Sequence, residues 1–229
     1  MTRIKFILLL LACIAIVSGC ATTQNWPKQL DEKLSKLDGK ALVLASVSFE
    51  NKIDSTDGFF LDMFLIGSQG DNYEKINLNH RDNIKVLSGN RMYFLVVIDI
   101  NPGDNYFYSV RGKKNGYWFT PLFEAPILLS FQAKGNEIQY IGNIKLTLRE
   151  KTSESEHRAG PITPLIDQAS IINATFDVEI SDEYERDIKE YQRIFPNIAG
   201  RKITKRILPS WKRPTPDEFE PKRTHFFFF

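Results

Sequence analysis

Between residues 40 and 180 the apolar side chains recur mainly at every second position. A β-strand sends successive side chains to opposite faces, so this spacing points to half-buried strands. The longest example sets Ile138, Tyr140, Gly142, Ile144, Leu146 and Leu148 on one face, with Gln139, Asn143, Lys145, Thr147 and Arg149 mostly on the other. Gly142 interrupts the row and marks a bulge or bend. Val43, Ala45, Val47 and Phe49 repeat the pattern, as do Ile172, Ala174, Phe176, Val178 and Ile180. Phe59 to Ile66 and Tyr73 to Leu78 add two further candidates. From Met92 to Ile100 both alternating rows are apolar, which predicts a strand covered on both faces.

Turn signals separate these runs. Asn101-Pro102-Gly103-Asp104 precedes Tyr106, Tyr108 and Val110, and Asn115-Gly116 precedes Tyr117-Trp118-Phe119. Many short strands with such punctuation, and no repeated strand–helix units, predict a mainly β fold. The expected form is an antiparallel β-sandwich with an accessory C-terminal helix and an irregular tail. The sandwich is expected over residues 40–180, preceded at 20–39 by a tether with a short helical element. The polar stretch from Lys151 to Gly160 reads as a mobile loop. The helix is expected over 181–196. Ser181 would cap it, Asp182, Glu183 and Glu185 would sit at its positive end, Tyr184, Ile188, Tyr191 and Phe195 would form its apolar stripe, and Pro196 would end it. Residues 197–229 form a basic, proline-rich tail, either disordered or draped over the domain.

The first nineteen residues are of a different kind. Arg3 and Lys5 give a positive start, Phe6 through Val17 an apolar run, and Ser18-Gly19 small residues before Cys20. This is the layout of an export signal, and the run is shorter than the ~20 residues that span a bilayer. Val17-Ser18-Gly19-Cys20 resembles the lipobox of bacterial lipoproteins. The resemblance implies cleavage before Cys20, lipid attachment to its sulfur and a membrane anchor. Ala21, where aspartate would favour inner-membrane retention, implies an outer-membrane location, with the domain facing the periplasm. Of the two cysteines, Cys13 would leave with the signal and Cys20 would carry lipid, so neither a disulfide nor a thiol nucleophile is expected. Removing Arg3 and Lys5 also leaves Lys+Arg equal to Asp+Glu at 28, and this balance gives no support for a nucleic-acid partner.

Two central segments carry a second resemblance: Asn101-Pro102-Gly103-Asp104-Asn105-Tyr106-Phe107-Tyr108, and Gly135-Asn136-Glu137-Ile138-Gln139-Tyr140-Ile141-Gly142-Asn143-Ile144. Each leads from a glycine-bearing turn into a tyrosine strand. Together they resemble small uncharacterised bacterial lipoproteins with a carboxypeptidase-regulatory-like or transthyretin-like sandwich. This resemblance spans roughly residues 40–180 and implies a fold, not an activity.

Catalytic patterns are sparse. His80, His157 and His225 have no second histidine or cysteine at metal-ligand spacing, and each reads as a surface histidine. No Gly-x-Ser-x-Gly elbow occurs, and Gly67-Ser68-Gln69-Gly70 reads as a turn. Gly112-Lys113-Lys114-Asn115-Gly116 lacks the spacing of a phosphate loop. Asp54, Asp57 and Asp62 cluster without EF-hand spacing and read as a solvated loop. The expectation is therefore a non-enzymatic protein with no cofactor and no metal.

Two groups of residues offer contact chemistry. Tyr106, Tyr108, Tyr117 and Trp118 crowd adjacent strands, where exposed rings would suit a glycan and buried ones would serve packing. Arg201, Lys202, Lys205, Arg206, Lys212 and Arg213 carry no acid between them and are interleaved with Ile203, Ile207, Leu208 and Trp211. These suit an anionic lipid or an acidic envelope protein, against the plainer reading of a solvated tail. The sequence thus favours an envelope lipoprotein with a binding or scaffolding role, carbohydrate recognition as the alternative, and a hydrolase third.

Overall fold

The computed structural model describes residues 37–53, 59–67, 73–77, 83–88, 91–114, 122–160 and 173–219. The expected tether helix before Leu37, the rings Tyr117 and Trp118, the acidic loop at Asp54 and Asp57, and His80 and His225 lie outside these residues, as does Cys20.

The described chain is mostly strand, in two sheets. It visits them alternately: β1 (Ala41–Asn51) in the first sheet, β2 (Phe59–Gly67) and β3 (Tyr73–Asn77) in the second, β4 (Asn83–Ser88) and β5 (Arg91–Ile100) in the first, and β6 (Gly103–Lys114) and β7 (Leu122–Ala133) in the second. It then returns to the first sheet for β8 (Ile138–Glu150), β9 (Ala174–Ser181) and β10 (Ile203–Lys205), with helix α1 (Tyr184–Ile194) and a 3-10 turn (Pro196–Ile198) before β10. The four-stranded sheet runs β3-β2-β6-β7 and is antiparallel throughout. The six-stranded sheet runs β10-β8-β1-β5-β4, with β9 also on β8.

The expectation of antiparallel pairing holds only in part, because the six-stranded sheet is mixed. β1 and β8 pair in parallel, Leu42 opposite Ile138 through Asn51 opposite Leu148, and β10 joins β8 in parallel as well. Turn signals report hairpins such as β4–β5 and β6–β7. They are silent on strands that meet after a long excursion. Here the excursion passes through the other sheet and needs no crossover helix.

Both sheets feed one apolar cluster. Ala45, Val47, Val96, Ile98, Ile144, Leu146 and Phe176 come from the first sheet, and Ile66, Phe107, Val110, Phe123 and Ile127 from the second. Phe49, Phe123 and Phe176 meet with ring centroids 5.5–6.1 Å apart. The other face of the first sheet is apolar too. Leu42, Leu44, Tyr93, Leu95, Val97 and Tyr140 are buried there beneath Ile188, Tyr191, Phe195 and Ile198. Each such side chain withdrawn from water is worth about 1.5–3 kcal/mol, which is what holds α1 in place.

The helix begins later than its acidic residues suggest. Ser181 is the last residue of β9, and Glu183 stands at the N-cap without a side-chain bond. Asp182 Oδ1 instead accepts the Tyr184 N–H at 3.1 Å.

Gly142 explains how β8 supports two partners on one edge. Its φ of +108° is a region that side chains rarely adopt, and a Cβ there would lie 3.1 Å from Ser181 O and 3.3 Å from Ile207 Cγ2. The β1 register slips at this point, from Leu44 opposite Tyr140 to Ser46 opposite Asn143. Residues 143–150 of β8 pair with β9 and residues 138–140 with β10. The chain after β10 continues along the same edge, where Arg206 N–H donates to Tyr140 O at 2.8 Å and Leu208 N–H to Ile141 O at 2.9 Å.

Candidate functional site

Two polar clusters inside the described structure involve residues from its C-terminal part. The first joins α1 to the outer face of the six-stranded sheet. Asp187 is fully buried, and its carboxylate accepts from Ser46 Oγ at 2.5 Å and from the Tyr140 hydroxyl at 2.6 Å. Arg186 donates to the same carboxylate at 2.7 and 2.8 Å. Asn143 Nδ2 supports Ser46 Oγ at 2.7 Å and Ser48 Oγ at 2.9 Å, and the Arg186 guanidinium lies 4.5 Å from the centre of the Tyr93 ring. One turn on, the Tyr191 hydroxyl accepts the Val96 N–H at 3.0 Å and sits 2.5 Å from Ala45 O and 2.7 Å from Val96 O, to one of which it donates. Burial, with Asp187 nearby, raises the pKa of both Tyr140 and Tyr191. Both rings therefore stay protonated and act as donors.

This network satisfies a buried charge with four donor contacts from three side chains, the condition for tolerating a carboxylate away from water. Ser46 and Asp187 are 0 % exposed, so the pair meets no substrate in this conformation. Its evident chemistry is a clamp between helix and sheet.

The second cluster lies where Lys151–Gly160 meets β8, β9 and the segment after β10. The sequence suggests a mobile loop with a surface histidine. The structure packs it instead: Glu156, His157, Ala159 and Gly160 are buried. Ala159 joins the two sheets through its backbone, accepting the Glu124 N–H at 2.7 Å and donating to Ala174 O at 2.8 Å. Arg149 pairs with Glu156 and Asp177, and Arg213 reaches Asp177 and, at 3.0 Å, Thr175 Oγ1. The Arg149 hydrogen bond is the main cause that holds Glu156 down at about 2. His157 Nε2 lies 3.3 Å from Thr175 Oγ1, while its Nδ1 is buried without a hydrogen-bond partner among the described residues. Burial, then the charge of Arg213, pushes this imidazole down to about 3. The run around His157 is charged and poor in apolar residues, so only tertiary packing reveals the burial.

The contact residues expected from sequence divide between these surroundings. Tyr106 and Tyr108 are half-buried on β6, and the Tyr108 ring packs on the buried Phe219 with centroids 5.4 Å apart. Trp211 packs against the core, and its Nε1 donates to Pro126 O at 3.0 Å. The supposed solvated cations are partly neutralised by acids distant in sequence. Lys205 meets Asp182 at 2.7 Å, and Arg206 meets Glu137 at 3.6 Å. Arg201, Lys202 and Lys212 remain exposed, with no ion pair among the described residues. Among the described residues, the rings and cations of the two expected groups thus do not converge on one site.

A separate cavity of about 280 Å³ opens at the end of the four-stranded sheet, lined by Asp104, Asn105, Ser130, Phe131 and Gln132. Tyr106 stands opposite Ser130 in the ladder beside it. Among the described residues no group of three His, Cys, Asp or Glu side chains is arranged to hold a metal ion.

Asp187→Ala removes the acceptor on which Ser46, Tyr140 and Arg186 converge. The expected loss is about 2–5 kcal/mol, because two buried hydroxyls and a half-buried guanidinium lose their partner. Urea unfolding of the variant against the parent chain measures it.

No protein-family model matches the chain, and no curated protein or solved structure matches it.

Proposed function

We propose that this protein is a lipid-anchored envelope lipoprotein with a non-enzymatic binding or scaffolding role. The observation that carries the reading is the N-terminal order of Arg3 and Lys5, the apolar run to Val17, and Val17-Ser18-Gly19-Cys20. A diacylated cysteine buries many methylene groups at about 0.8 kcal/mol each, enough for a lasting anchor when more than one chain is attached. Ala21 after the cysteine supports the outer membrane, with the folded part on the periplasmic side. The shared apolar cluster supports reading the two sheets as a β-sandwich of the transthyretin-like kind, with its first sheet mixed. The polar clusters pair their carboxylates, hydroxyls and guanidinium groups with one another, which supports a structural role for them. Arg201 and Lys202, exposed at the start of β10, are the cations best placed for an anionic lipid or an acidic envelope protein.

A second reading, carbohydrate recognition, draws on the cavity beside Tyr106. Phe131 offers a ring face, while Asp104, Asn105, Ser130 and Gln132 offer the carboxylate, amides and hydroxyl that bind sugar hydroxyls.

Cys20→Ser decides the first reading. Metabolic labelling with a fatty-acid analogue is expected to mark the parent chain and not the variant, and equal labelling contradicts the anchor. Titration with envelope glycan fragments decides the second: Phe131→Ala is expected to weaken binding at least tenfold, and no binding by the parent chain removes this reading.

A further inference from the structure

Residues 206–219 run as a nearly irregular segment from the first sheet across to the second. Two backbone hydrogen bonds to β8 start it, from Arg206 and Leu208. Leu208 enters the main core, Trp211 bonds to Pro126 on β7, Arg213 pairs with Asp177 on β9, and Phe219 is buried against Tyr108 on β6. Local secondary structure contributes little here, so the segment is held by side-chain anchors. Segments of that kind open at lower cost than the strands they cover.

One anchor is acid-sensitive by construction. His157 is 1 % exposed, and the buried Phe219 ring meets it edge-on at 5.9 Å. Among the described residues its Nδ1 has no hydrogen-bond acceptor to hold a second proton. The charged groups around it are Arg149 from β8, Lys151 and Glu156 from the loop, and Arg213 from the segment itself; Asp177 of β9 binds both arginines, and Arg158 follows in the chain. A proton on the imidazole would thus enter a buried place with two guanidinium groups nearby.

We infer that residues 206–219 act as an acid-released strap, closed at neutral pH and opened when His157 beneath it takes a proton. The direction follows from linkage. In the closed form the imidazole is held down at about 3, against an ordinary 6.5 when solvated. Its contribution to closure is present in full above pH 6.5 and fades as pH falls from 6.5 towards 3. Glu156 acts in the same direction over a lower range, from its ordinary 4.5 down to about 2. Between pH 6.5 and 4.5 the histidine is therefore the group of the two that works the strap. What opens is the Tyr108 and His157 surface, together with the inter-sheet edge under Leu208 and Trp211.

Hydrogen exchange of the full chain, corrected for the intrinsic effect of pH, tests this. The Arg206 and Leu208 amides are expected to lose protection about thirtyfold between pH 7.5 and pH 5. The β8 amides from Ile144 to Leu148 are expected to keep theirs. In His157→Gln, which stays uncharged, strap protection is expected to change less than twofold over that range. Unchanged protection in the parent chain overturns the strap, as does an equal loss in His157→Gln or a simultaneous loss along β8. The imidazole resonance of the parent chain gives a check that needs no variant. Proton uptake is expected to follow strap opening, and a ring that titrates near 6.5 under a protected strap overturns the inference.

Discussion

Strand β5 and the first half of β1 are apolar on both faces, and the rest of the structure depends on that constraint. Val43, Ala45 and Val47 turn toward the second sheet, while Leu42 and Leu44 turn away from it. Tyr93, Leu95 and Val97 do the same opposite Phe94, Val96 and Ile98. This part of the six-stranded sheet has no face to give to water. One face is covered by the second sheet. The other needs a layer of its own, supplied by α1 and the 3-10 turn.

Covering that second face places polar groups in the interior, and the sequence supplies partners for them. The Asp187 carboxylate meets Ser46, Tyr140 and Arg186, and the Tyr191 hydroxyl meets the backbone of β1 and β5. These contacts are directional where the apolar ones are not, so they fix the axial position of the helix. Gly142 makes the geometry continuous. It lets one edge of β8 take β9 and then β10, and it leaves room for Ile207 to pass.

Periodicity made individual strands legible, together with two-face burial from Tyr93 to Ile98 and the irregularity at Gly142. The helix stripe at Ile188, Tyr191 and Phe195 was legible for the same reason. Strand partners across long separations were not, because the parallel β1–β8 ladder leaves no local turn signal. The clusters were hidden by a related cause. Arg149, Glu156, Asp177 and Arg213 look like solvated charges one by one, and only the fold brings them together. His157 reads as a surface residue because its neighbours in sequence are polar, whereas its neighbours in space include Phe219. The basic run after Gly200 likewise reads as unpaired until Asp182 and Glu137 are seen beside it.

The C-terminal part is thus a structural layer and a fastening, and its charges serve the domain before they can serve a partner. Of its basic residues, Lys189, Arg201, Lys202 and Lys212 stay exposed without an ion pair among the described residues. Urea unfolding of a chain ending at Ser181 tests the layer claim most directly. The account predicts that such a chain shows no cooperative transition, since Leu42, Leu44, Leu95 and Tyr140 lose their cover. A cooperative transition at the midpoint of the full chain would contradict it.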